Sequence, residues 1–183
     1  MDLYQLFAEI LDYPTPSLPD HVKDCISSLA AVHKEAAPML DEFRVFLDAT
    51  SMDRMEELYT RTFDLQAICH PYVGYHLFGD GSRRGVFMSG LKEHYRTCGF
   101  AAGNELPDHL GIMLRFASNC AISDREELVD ECMIPAVERM ISAFEDDRNP
   151  YKRILEALLR FLQKGGRDQT IPKIESEGFY NGR

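Results

Sequence analysis

Three pairs of side chains in this 183-residue chain have the types and spacing to do chemistry. His94 and Cys98 stand four residues apart, on one face of any helix that carries them, and Cys69 adjoins His70. Imidazole and thiolate are ligands for a transition metal, and a thiolate near a histidine is also a nucleophile. A metal site needs three or four such ligands converging, and the sequence offers them only in pairs. The third pair, Asp108 and His109, follows Pro107. A carboxylate in a first helical turn stabilises any helix through the dipole, whereas imidazole is not favoured at that end, so His109 stands out for binding. The rest of the catalytic vocabulary is missing: no phosphate-cradling Gly-rich loop after a strand, no GxSxG, no HExxH and no paired ExxH. The expectation is a non-catalytic protein with no metal and no cofactor. Its alternative is a small α-helical metal-binding protein or enzyme using Cys69, His70, His76 or the His94/Cys98 pair.

The elements that must position these residues read as helices throughout. Leu3, Leu6, Phe7, Ile10 and Leu11 recur at helical spacing, and Pro14 and Pro16 end that stripe. A second helix is predicted after Pro19, breaking near Pro38 and resuming to Leu47. Thr50 and Asp53 have capping-box spacing ahead of a stripe of Met52, Met55, Tyr59, Thr62 and Phe63, with Asp64 just beyond. Residues 65–81 carry Pro71, Gly74, Gly79 and Gly81 and are read as a loop with a short helix over 72–78, unusually rich in large apolar side chains. Ser82 to Cys98 should be helical, with Phe87, Leu91, His94, Tyr95 and Cys98 on one face, Cys98 as a buried small hydrophobe and Gly99 as the left-handed stop. Pro107 and Asp108 are placed in the first turn of the next helix, through Leu110, Met113, Leu114 and Ala117. Ser123 to Glu126 reads as a capping box, Pro135 should kink or split that helix, and Asn149-Pro150 should open a last one with Ile154, Leu155, Leu158 and Leu162 buried. The predicted fold is an all-α, single-domain bundle of about seven to nine helices over 1–165, with a polar, mobile tail over 166–183.

Composition narrows the class further. Hydrophobic residues make up 45% of the chain, as in a globular protein, and no run approaches a membrane span. Five cysteines, an odd number without CxxC spacing, argue against a disulfide framework or zinc ribbon. MDLYQLFAEIL has an acid where an export signal wants a base, so a cytoplasmic address is expected. The net charge of -10 disfavours nucleic acid and attracts basic partners.

YTRTFDL (Tyr59 to Leu65), HLF (His76 to Phe78), the RG of Arg84-Gly85 with Met88, Leu91 and Tyr95 behind it, and ELPDHL (Glu105 to Leu110) together resemble the TorD/DmsD/NarJ superfamily of redox-enzyme maturation chaperones. The likeness is closest to NarJ-type nitrate reductase assembly chaperones. It covers about a third of the chain strongly, and PYVGY before HLF departs from the ordinary pattern. The resemblance implies the same all-α fold and a chaperone for a molybdenum-containing oxidoreductase. Such a chaperone binds the N-terminal or signal region of the catalytic subunit while the molybdenum cofactor is inserted. It implies that Asp108 and His109 border the peptide site, where an aspartate meets a guanidinium or ammonium group directly. Tyr59, Asp64, His76, Phe78 and Arg84 complete the expected peptide-binding set; the plain alternative for Arg84 is an ion-paired arginine. The client is left open among nitrate, dimethyl sulfoxide, trimethylamine N-oxide and selenate reductases, and the assembly state between a monomer and an exchanged dimer.

Overall fold

A computed structural model describes residues 2–65 and 67–165. The expected polar tail lies outside the described residues. Among them the helices are α1 (Leu3–Ile10), α2 (Leu18–Val32), α3 (Ala37–Asp48), α4 (Met52–Tyr59), α5 (Val73–Phe78), α6 (Ser82–Thr97), α7 (Leu110–Asn119), α8 (Ile122–Leu128), α9 (Ile134–Ser142) and α10 (Tyr151–Gly165). Two π turns extend this set, Thr60–Asp64 after α4 and Val129–Met133 joining α8 to α9. Counting that joined pair as one rod leaves nine, within the expected range.

The local stripes explain the packing. Leu6, Phe7 and Ile10 of α1 are fully buried where the helix lies against α2 and α7. On α10, Ile154, Leu155, Leu158 and Leu162 face α3 and α9. Tyr151 and Phe43 are fully buried with rings 5.5 Å apart, joining the α10 and α3 sides of the core. No described helix is long and apolar enough to cross a membrane.

Both π turns have chemical causes. Thr60 and Thr62 hydroxyls donate back to the carbonyls of Glu56 and Leu58, a competition that loosens the helical ladder. Thr62 also accepts from the Asn149 amide, 2.8 Å away, tying the turn to the start of α10. The second π turn runs up to Pro135, which has no N–H to give and crowds the carbonyl four residues before it. The expected kink therefore takes the form of a widened turn.

Several boundaries correct the expectations. Thr50 finishes α3 by donating to the Phe46 carbonyl, and Ser51 precedes α4 without a side-chain cap, so the capping box from Thr50 to Asp53 does not form. Ser123 sits inside α8, which begins after Ala121. Pro38 lies within the first turn of α3, where no N–H is required, and the break falls earlier, at residues 33–36. Pro107 and Asp108 precede α7 instead of opening it.

Candidate functional site

The site begins with a two-residue stitch. The Val73 N–H donates to the Asp108 carbonyl and the Leu110 N–H to the Pro71 carbonyl, both at 2.8 Å, pairing Tyr72 with His109 as an isolated antiparallel bridge. This draws the end of the 98–109 connection under the start of α5. Gly79, at φ 72°, then turns the chain so that α6 starts after only three intervening residues and returns Arg84 to the same place.

Asp108 is 0% exposed, and Arg84 holds it with Nε 2.7 Å from Oδ2 and Nη2 3.3 Å from Oδ1. The guanidinium also lies 5.0 Å from the Tyr72 ring centre and 3.6 Å from Asp80. Asp108 holds the Arg84 pKa above its ordinary value. Gly74 makes the packing possible: a Cβ there would stand 2.7 Å from Asp108 Oδ2 and 2.9 Å from Phe87 Cδ1. The expected direct contact of Asp108 with a ligand cation is therefore corrected, because its carboxylate is enclosed and already paired. Arg84 has the ion-paired role.

His109 does have a structural reason for its place. It is the N-cap of α7, its Nδ1 accepting from the Gly111 N–H at 3.2 Å, and its ring meets Tyr72 edge-on at 5.5 Å. Burial pushes its pKa down, which preserves the neutral imidazole that the cap requires.

Tyr59 and Asp64 form the neighbouring part of this face. Tyr59 donates to the Leu11 carbonyl at 3.3 Å and packs against Tyr13, Phe63 and Tyr151. Its phenol pKa is raised by burial first, then by the charges of Asp12, Asp64 and Glu105. Tyr72 is raised by burial and by Glu105, whose Oε1 is 3.4 Å from its hydroxyl. Glu105 and Asp64 are exposed, and Leu65 and Leu106 beside them are 69% and 40% exposed. These exposed acids and leucines form an acidic, partly apolar rim beside Tyr59 and Tyr72, and Tyr72 in turn lies against Arg84 of the buried pair.

His76 and Phe78 lie toward the other end of α5. His76 Nε2 is 2.7 Å from the His70 carbonyl, and burial lowers its pKa. Arg139 of α9 donates to the carbonyls of His76 and Leu77, fastening α5 to the bundle. Phe78 is 43% exposed and packs on Phe87, the same ring that crowds Gly74.

The cysteine and histidine pairs separate clearly. Cys25, Cys69 and Cys132 are buried, each thiol pushed up to about 12 by burial, and are inert core residues. Cys98, expected in the core, is exposed. It keeps company with His94 on the same helix and gains Asp124 from α8 as a third donor.

The family model described as nitrate reductase delta subunit matches residues 29–165. The chain belongs to this family. Among curated proteins it is 31% identical over 122 residues to the Bacillus subtilis (strain 168) protein named "Probable nitrate reductase molybdenum cofactor assembly chaperone NarJ", the match spanning 66% of each chain. Among solved structures, a crystal structure from Archaeoglobus fulgidus, described as a redox enzyme maturation protein, superposes with a TM-score of 0.60 at 22% identity. That match covers 88% of this chain and 92% of the other, and at this identity it speaks for the fold alone. The Bacillus subtilis relative carries the name of an assembly chaperone, not of a catalyst, in agreement with the non-catalytic reading.

Within this delta-subunit architecture, sequence reasoning missed Gly74, Tyr72 as a stacking partner, Glu105 and Asp124. Gly74 carried a weak signal as the glycine within PYVGY. Glu105 carried one as the first residue of ELPDHL, while Tyr72 and Asp124 carried none toward Arg84 and His94, 12 and 30 residues away in the chain.

Proposed function

We propose that this chain is a cytoplasmic, non-catalytic assembly chaperone that binds the N-terminal segment of the catalytic subunit of a molybdenum oxidoreductase. In this reading it holds that subunit open to cofactor insertion. The observation that carries it is the acidic rim of Asp64 and Glu105, with exposed Leu65 and Leu106, over Tyr59 and Tyr72. A segment bearing a basic residue and a few apolar anchors suits such a rim: the cation meets carboxylates and the anchors cover the leucines. Asp108 and His109 act as positioning residues, one fixing Arg84 and the other starting α7 beside the rim. No bond chemistry is needed. Tighter binding of the unfinished subunit than of the finished one shifts the population toward the state that accepts the cofactor.

The test is a fluorescence-anisotropy titration with labelled N-terminal peptides of candidate clients, nitrate reductase first, at low and high salt. Asp64→Asn and Glu105→Gln should each weaken binding about 1.5- to 5-fold, the range of about 0.2–1 kcal/mol for an exposed ion pair, and flatten the salt dependence. Absence of binding by every peptide, or unchanged binding and salt dependence in the double variant, refutes the reading.

A further inference from the structure

We infer that His94, Cys98 and Asp124 form a site for a zinc-class divalent cation, clipping the end of α6 to the start of α8. The side-chain donors of the three residues, one nitrogen, one sulfur and one oxygen, all lie within 4.8 Å of one another. A tetrahedral ion with bonds of about 2.0–2.3 Å places its ligand atoms about 3.3–3.8 Å apart, so rotamer adjustment closes the set around a cation. His94 Nε2 already stands 3.7 Å from Asp124 Oδ2, and the edge of the His94 ring is braced against Phe116 at 5.2 Å.

An ion pair of His94 with Asp124 accounts for two of these groups and leaves the third unexplained. Cys98 is exposed, unlike Cys25, Cys69 and Cys132, so its thiol lies where a metal arriving from solvent can reach it. It follows the last residue of α6, where the negative end of the helix dipole favours a bound cation. Asp124 occupies the first turn of α8, where a carboxylate is favoured in its turn. Neighbouring bases are engaged elsewhere: Arg96 pairs with Glu93, and Arg125 donates to the Ala117 carbonyl at 2.6 Å and covers the Tyr4 ring. The exposure of Cys98 leaves the fourth position of a tetrahedral ion to a water from solvent. Mixed nitrogen, sulfur and oxygen donors, three from protein with one open position, suit Zn²⁺ and exclude the all-oxygen preferences of Ca²⁺ and Mg²⁺. Binding takes Cys98 as thiolate, its proton passing to solvent.

This inference stands apart from the peptide-binding reading. Its test is titration of the chelator-treated, reduced full chain with Co²⁺, followed by competition with Zn²⁺. One equivalent of Co²⁺ should bind with sulfur-to-cobalt charge-transfer absorption and the intense visible bands of a four-coordinate ion, and Zn²⁺ should displace it. Cys98→Ser should abolish the charge-transfer band. His94→Gln should weaken binding by at least about 100-fold, since even the outer partners of metal ligands are worth about 10–100-fold. Cys120→Ser, at the half-buried end of α7, should leave the spectrum unchanged. Because Cys98 is exposed, Cys98→Ser retains the core, and an unaltered far-UV circular dichroism spectrum verifies that. No thiolate band at stoichiometric Co²⁺, a band that survives Cys98→Ser, or one lost only with Cys120→Ser overturns the inference.

Discussion

Replacing Arg84 by alanine strands the Asp108 carboxylate. That carboxylate is 0% exposed, and two of its contacts, at 2.7 and 3.3 Å, are with the guanidinium. Removing one partner of a buried pair costs about 3–5 kcal/mol, because the remaining charge can neither reach water nor find a counter-ion. In a chain of this size each kcal/mol moves the melting temperature about 2–4 °C, so Arg84→Ala should lower it by roughly 6–20 °C. The reverse deletion is milder. Arg84 retains 12% side-chain exposure, Asp80 at 3.6 Å and the Tyr72 face, so Asp108→Ala should cost about 1–3 kcal/mol. The double variant Arg84→Met, Asp108→Leu should recover much of the Arg84→Ala loss, since apolar replacement of a buried pair is often close to neutral. The chain has no tryptophan, so urea unfolding is best followed by helical circular dichroism. A cost below about 1 kcal/mol for Arg84→Ala, or a larger cost for Asp108→Ala than for Arg84→Ala, would refute the enclosed-pair argument.

Gly74→Ala should destabilise the chain by about 1–3 kcal/mol, because the new methyl meets Asp108 Oδ2 at 2.7 Å and the Phe87 ring at 2.9 Å; an unchanged unfolding midpoint would show that this contact is slack. His109→Ala should cost about 0.5–2 kcal/mol as a lost N-cap, and His109→Asn should restore most of it. Burial holds the His109 and His76 pKa values below the ordinary 6.5, so the unfolded chain takes up protons first as the pH falls. Stability is full above that value and declines as the pH drops through it toward the lower folded values. Urea unfolding from about pH 7.5 to about pH 5 should show this decline, with a shallower slope in His109→Asn; an identical slope would mean that His109 does not contribute to it.

Periodicity and breakers were enough to read the helices, because each buries one face and the 3.6-residue repeat is a local property. The stripes of α1, α7 and α10 came out as read, and Asn149 caps α10 as its type implied, its Oδ1 accepting from the Tyr151 N–H at 3.1 Å. The same local logic failed where a residue's partner is distant. The Thr50 and Ser123 capping boxes had the right spacing, but where a helix starts is settled by packing as well as by cap chemistry.

Asp108 shows the limit most clearly. From its neighbours it is a first-turn acid near a helix dipole, while the bridge between Tyr72 and His109 and the return of α6 make it the buried partner of an arginine 24 residues away. Cys98 belongs to the apolar face of α6 by periodicity, yet it lies exposed at that helix's end, where α8 supplies Asp124. The residue types, their helices and the family resemblance were determined by the sequence alone. Which charges are enclosed, which form a rim and which meet as ligands was decided by tertiary structure, because those properties depend on distances between segments that no local pattern records.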